Sequence, residues 1–162
     1  FIETNLYGAV FSDTTIFRGL FSNCVLDLAI FDKSDISMTT FVQSSCNQAS
    51  FQKIVWTSVA MCDVDFSIAA WQPKRLAKCV MVNCIFRDHD LHGGQLIECS
   101  FNGGTFENID FSKSTITHCQ FLSCHLSAVN FFAAKMVASI FTSAALEGCN
   151  FKSAVLLSLI HI

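Results

Sequence analysis

The chain is short of most features from which function is usually read. Only 14% of its 162 residues are charged, the formal net charge is −3, and proline occurs once, at Pro73. No stretch of 18 consecutive apolar residues occurs, which excludes a transmembrane helix although 52% of the residues are hydrophobic. No nucleophile elbow, phosphate-binding loop or zinc-ligand spacing is present, so no catalytic site can be built from a motif. Helical and simple strand periodicities are missing too, because the apolar residues recur at neither 3.6 nor 2.

What the chain has is a period of five. Phe1, Leu6, Phe11, Ile16, Phe21 and every fifth residue through Leu156 are apolar, and His161 alone breaks the register. Of 17 phenylalanines, only Phe17 and Phe132 fall outside it. Such self-similarity marks a repeat architecture, in which a unit cannot bury its apolar face alone and stacks on its neighbours. Two residues before each large hydrophobe stands a mostly small one, as at Ala9, Gly19, Cys24, Ala29 and Ser34. Large and small side chains therefore alternate across an interior too narrow for two large ones. The other three phases hold every Asp, Glu, Lys and Arg except Lys74. Two inward and three outward positions in five describe a coil with one short flat side per repeat.

Segments such as Gly148-Cys149-Asn150-Phe151-Lys152 and Val129-Asn130-Phe131 place a small residue, often Asp or Asn, before Phe or Leu, followed by two variable residues. On these residues the chain resembles the pentapeptide repeat family, over essentially its whole length. The resemblance implies an all-β fold, a right-handed quadrilateral parallel β-helix in which four repeats make a square 20-residue coil. Residues 1–162 would then form a single solenoid domain of about eight coils, roughly 39 Å long at the usual strand spacing. Beginning without Met in the middle of a repeat, and ending in register without a polar cap, the domain is expected to be a fragment of a longer chain or a rod whose ends meet partners. Residues 20 apart lie above one another. Phe1, Phe21 and Phe41 head one inner column, and Phe11, Phe31 and Phe51 the opposite one, with a changed order between Met61 and Leu96. A lysine inside this interior would be costly, so a local bulge near residues 72–76 is expected to turn Lys74 outward.

Seven of the nine cysteines occupy the small inward phase, where Cys acts as a compact hydrophobe. Cys79, Cys99 and Cys119 share one column, but in-register Cβ atoms about 4.8 Å apart lie beyond disulfide reach. Free thiols and a cytoplasmic, reducing compartment are expected, with secretion as an effector the alternative. The densest polar cluster, Arg87, Asp88, His89, Asp90 and His92, reads as structural because neighbours on a short-sided coil point in different directions. No catalytic residue, cofactor or metal is implied.

Function then falls to the outer surface. The resemblance implies either protein-binding effectors and regulators of bacteria or protectors of type II topoisomerase that mimic duplex DNA. A duplex as long as this rod carries about 23 charges at one per 1.7 Å, against a net charge of −3 here. One side is even basic, with Lys33, Lys53, Lys113 and Lys152 near Arg75 and Lys135. The favoured reading is a non-catalytic protein-binding or scaffold rod, with Val80, Val82, Leu122, Ile140, Ile160 and Ile162 as an aliphatic stripe. Leu157 and Ile160 mark the last coil as a candidate end-to-end homodimer interface. Direct nucleic-acid binding is not expected.

Overall fold

The computed structural model describes residues 1–159. Among these the regular structure is entirely β, in strands of three residues each. Eight parallel strands, from Thr15–Phe17 to Val155–Leu157, succeed one another at 20-residue intervals and form a sheet along the rod. A second face carries six strands, from Leu20–Ser22 to Gln120–Leu122. A third has four, from Ile85–Arg87 to Ala145–Glu147. The fourth is mostly turns: Ser50–Gln52 pairs with Ala70–Gln72, and single bridges link Asp90, Asp110, Asn130 and Asn150. The whole is a parallel β-solenoid, consistent with a right-handed quadrilateral β-helix.

Backbone conformation at the corners makes the square. Twenty-six non-glycine residues and four glycines have positive φ, all in the phase two residues after the large inward side chain, as at Asn23, Leu28, Lys33 and Met38. The left-handed region costs an L-residue roughly 1–2 kcal/mol. Ladder bonds hold most residues there: the corner N–H donates to a carbonyl of the next coil, as from Asn23 to Val42 (3.0 Å) and from Lys53 to Gln72 (2.9 Å). Asx turns support the corners of the turn face. Asp90, Asp110, Asn130 and Asn150 each accept the N–H two residues on through Oδ1. The same column is laced vertically, Asn130 Nδ2 donating to Asp110 and Asn150 Nδ2 to Asn130, both at 2.9 Å.

Only Ile68 and Pro73 depart from positive φ in this phase. Proline cannot adopt it. At Pro73 the ring is buried and the next side chain, Lys74, is exposed. The Lys74 N–H donates to the Ile54 carbonyl (2.9 Å), the kind of bond that the following residue makes in other coils, as from Val55 to Ser34. Ladder register is unshifted, with Gln72 opposite Gln52 and Arg75 opposite Val55.

Inside, identical rings stack at the strand spacing. Phe21 and Phe41 are 4.6 Å apart and nearly parallel, and Phe31 and Phe51 are 4.8 Å apart. Opposite columns meet edge to face, as Phe21 does with Phe31 at 6.0 Å and 82°. In the middle of the rod the aromatic column moves to other faces through Trp56, Phe66 and Trp71, whose planes are tilted. Both indole N–H groups there are buried without a hydrogen-bond partner, each an uncompensated desolvation cost of about 1–3 kcal/mol. The packing yields a direct test. Phe31→Ala, which empties a fully buried site, should lower stability by about 3–5 kcal/mol, whereas Phe17→Ala, on an exposed ring, should change it by about 0.5 or less. Urea unfolding followed by circular dichroism measures both.

Candidate interaction surfaces

Outward residues of each strand form the surface. Val80 and Val82 flank the buried Met81 on the six-stranded face, where Val80 is 46% exposed. Leu122 ends the last strand of that face, and Ile140 extends it by a bridge to Gln120. These four residues therefore share one face. Its outward positions from Leu20 to Leu122 include no Asp, Glu, Lys or Arg. Aliphatics alternate there with Ser, Thr, Asn, Gln, Ala and Cys. Leu157 lies elsewhere, at the last strand of the eight-stranded sheet, and is 48% exposed. Beside it the inward-phase Leu156 is also exposed, and Phe141, Leu146, Phe151, Leu156 and Leu159 line an apolar depression of about 260 Å³ at this end. Ile160 and Ile162 lie outside the described residues.

Charge is distributed across the rod rather than along it. The four-stranded face, the turn face and the corners that lead into them carry ten of the 13 carboxylates and, of the ten bases, only Arg87 and Lys152. The opposite half carries the other eight bases against Asp13, Asp35 and Glu98. The rod is thus polarised, its small net charge concealing an acidic and a basic side. The sequence-predicted basic side keeps Lys33, Lys53, Lys113, Arg75 and Lys135, while Lys152 stands on the turn face. Many acidic groups are already engaged. Glu107 pairs with Arg87 at 2.9 Å, and Asp63 and Asp88 accept amide bonds from Asn83 and Asn108. Asp110 is held below the usual carboxylate range, burial being outweighed by hydrogen bonds from Ser112 and Asn130.

The cluster around residue 90 does not converge on one point. Arg87 reaches Glu107, the Asp90 carboxylate accepts the His92 N–H, and the His92 ring meets Ser112 Oγ at 2.9 Å. His89 faces inward, with Nε2 3.0 Å from the Phe66 carbonyl and its ring edge-on to Trp71. Burial lowers its pKa, opposed by the Phe66 carbonyl and Asp88.

All nine cysteines are free thiols, seven of them buried. Cys79, Cys99 and Cys119 occupy successive rungs of one column, and each carbonyl accepts the N–H of the residue above, at Ser100, Gln120 and Ile140. Contact with Cys99, and then burial, raise the thiol pKa of Cys79 and Cys119. Burial pushes Cys84 up to about 12 and Cys124 to about 11. Cys62, on the six-stranded face, is less enclosed.

The four-sided coil of 20 residues, the left-handed corner in all but two of the described repeats and the large-and-small interior decide the fold. It is that of the pentapeptide repeat proteins. No family model matches the sequence, and no curated protein matches it. Solved structures similar to it are pentapeptide repeat proteins. One is HetL, involved in heterocyst differentiation regulation in the cyanobacterium Nostoc sp. strain PCC 7120, at 13% identity over 96% of this chain and 84% of HetL, with a TM-score of 0.41. Another is a trypsin-treated variant of QnrB1, a plasmid-mediated fluoroquinolone resistance protein, at 13% identity over 100% of this chain and 90% of that one, with a TM-score of 0.44. A third is Rfr23 of the cyanobacterium Cyanothece 51142, at 14% identity over 98% and 87%, with a TM-score of 0.21. Among the described residues no helix is long and apolar enough to cross a membrane. The chain is a repeat protein with a β-solenoid fold.

Two outcomes are expected from these side chains. In the unreduced, denatured chain all nine thiols should react with a thiol reagent, whereas in the native rod Cys62 should react first and the buried seven should be protected; fewer than nine on denaturation would mean disulfides. The second concerns pH. His89 has a lower pKa folded than unfolded, so the unfolded chain binds the proton more readily, and stability present above about pH 6.5 should fall as the pH drops below it. His89→Gln should flatten that part of the urea-midpoint profile, while the loss below about pH 4, carried by Asp110 and Asp27, should remain.

Proposed function

We propose that this chain is a non-catalytic, protein-binding rod, the repeat domain of a bacterial effector or regulator. The observation that supports this reading most is the six-stranded face, flat and without a charged residue over its strands, with Val80, Val82, Leu122 and Ile140 on it. Paired strands fix those side chains on a rigid lattice, so a partner meets them with little ordering cost. The free buried thiols support a cytoplasmic location. The exposed last coil around Leu157 supports an end-to-end homodimer, since an uncovered parallel ladder invites a second one. A second reading, mimicry of DNA towards a type II topoisomerase, draws on the acidic half, where Asp63, Asp65, Asp88, Asp90, Glu107 and Asp110 lie. It is the weaker, because several of those carboxylates are tied to amides or to Arg87.

A supercoiling assay separates the two. The chain should neither bind gyrase at micromolar concentration nor relieve its inhibition by a fluoroquinolone; protection that Asp63→Asn and Asp65→Asn abolish would establish mimicry instead. A photo-crosslinker at residue 82 should trap one defined protein in the native host, and Val80→Lys with Leu122→Lys should remove the adduct without changing the melting temperature. In sedimentation, Leu157→Lys should convert a dimer to monomer, and a wild-type chain monomeric at high concentration would remove the end-to-end contact.

A further inference from the structure

The Pro73 corner opens a recess where the basic half of the rod meets the turn face. It has a volume of about 500 Å³ and is lined by Lys53, Pro73, Lys74, Asp90, His92 and Gly93, among others. Three features give it a chemistry. First, two lysines from adjacent coils line it, and among the described residues neither Lys53 nor Lys74 has an ion pair. Lys74 is there because proline takes the inward position of its repeat and forces the lysine out. Second, one backbone acceptor is left over. In the coils on either side the corner N–H reaches the carbonyl above it, from Lys53 to Gln72 and from Gly93 to Ser112, each at 2.9 Å. Pro73 has no N–H to give to His92, and no other hydrogen bond of the described residues reaches that carbonyl. Third, the floor is open, since a Cβ at Gly93 would meet nothing within 4 Å.

We propose that this recess is a docking site for an acidic peptide segment of a partner protein, with carboxylates on Lys53 and Lys74 and a peptide N–H on the freed His92 carbonyl. It is a second contact surface, independent of the uncharged face. Peptide rather than nucleic acid follows from the arrangement. The cations stand in single file along one corner, Lys33, Lys53 and Lys74 on successive coils and Lys113 beyond the gap at Gly93. Asp32, Asp35 and Asp90 lie alongside, so the two phosphate strands of a duplex would set charge against carboxylates. A phosphate also brings no donor for His92, whereas a peptide backbone does. Asp90 in the wall accepts the His92 N–H (2.9 Å) and keeps its charge; a peptide can set its carboxylates on Lys53 and Lys74 and turn uncharged backbone towards Asp90, whereas a phosphate strand carries charge at every residue.

The test uses the full chain and a fluorescein-labelled short polyglutamate peptide, followed by anisotropy at low ionic strength. Lys53→Gln with Lys74→Gln should weaken binding about tenfold, the loss expected of two solvent-exposed ion pairs. The charge-matched pair Lys113→Gln with Lys135→Gln should change it by about twofold or less. Pro73→Asn with Lys74→Ala, which restores a regular corner and its donor to His92, should abolish the site while leaving the rod folded by circular dichroism. Inorganic phosphate should not compete beyond its effect on ionic strength. Equal losses from the two lysine pairs would show a diffuse charge effect and overturn the proposal, as would a peptide that does not bind. A short DNA duplex of equal charge that bound more tightly than the peptide would overturn it in favour of nucleic acid. None of these outcomes depends on the uncharged face, because Val80→Lys with Leu122→Lys should leave peptide binding unchanged.

Discussion

The whole rod depends on the backbone turning through the left-handed region once in every five residues. At four corners per coil this is an unfavourable conformation repeated along the chain, and glycine relieves it at only four positions. What holds most of the others is stacking: the corner N–H bonds to the coil beyond it, so a neighbouring coil stabilises the corner. Local strain and long-range pairing are thus the same term counted from two sides. This is why the fold is all or nothing along its axis and why a coil without a neighbour is costly, the ordinary condition of a repeat protein.

The corner also sets what the interior can hold. Four short sides enclose a space one ring wide, so a phenylalanine stacks on the phenylalanine of the next coil and meets the opposite column edge-on. Such columns cannot change residue type freely. Where they do, between Trp56 and Phe86, tilted rings, two unpartnered indole N–H groups, the inward His89 and the proline corner all occur within two coils. These irregularities share a cause, since each is a departure from the repeat that the adjacent coils must accommodate.

The periodic part of this was legible in the sequence. The five-residue register placed Phe21, Phe31, Phe106 and Phe121 inside, and the 20-residue column rule placed Cys79, Cys99 and Cys119 in one file; the ladder pairs and burial agree. Asp90, Asp110, Asn130 and Asn150 recur at the 20-residue spacing of one column, and each makes an Asx turn. The left-handed phase itself was not legible. It is filled by Leu28, Met38, Ala128 and Ala133 as readily as by Asn or Gly, because ladder bonds from the next coil, not local preference, impose it. Column arithmetic groups Val80, Val82, Leu122 and Ile140 on one face and sets Leu157 apart at the last coil, where it belongs to the neighbouring sheet. The freed carbonyl of His92 leaves no trace in its own residue type. It arises from a proline 19 positions earlier.

A solenoid of this regularity separates its tasks by phase. Inward residues and corners are fully committed to the fold, so recognition is left to the strand flanks, where one substitution recurs at a fixed spacing as a stripe rather than a point. The uncharged six-stranded face and the transverse division of charge are both products of that rule, each being one column, or a few, kept to one chemistry over many coils. Proline adds to this at a corner, since it has neither the positive φ nor the N–H that the corner uses. The only proline in the chain turns a lysine outward, frees a carbonyl and opens a recess beside it.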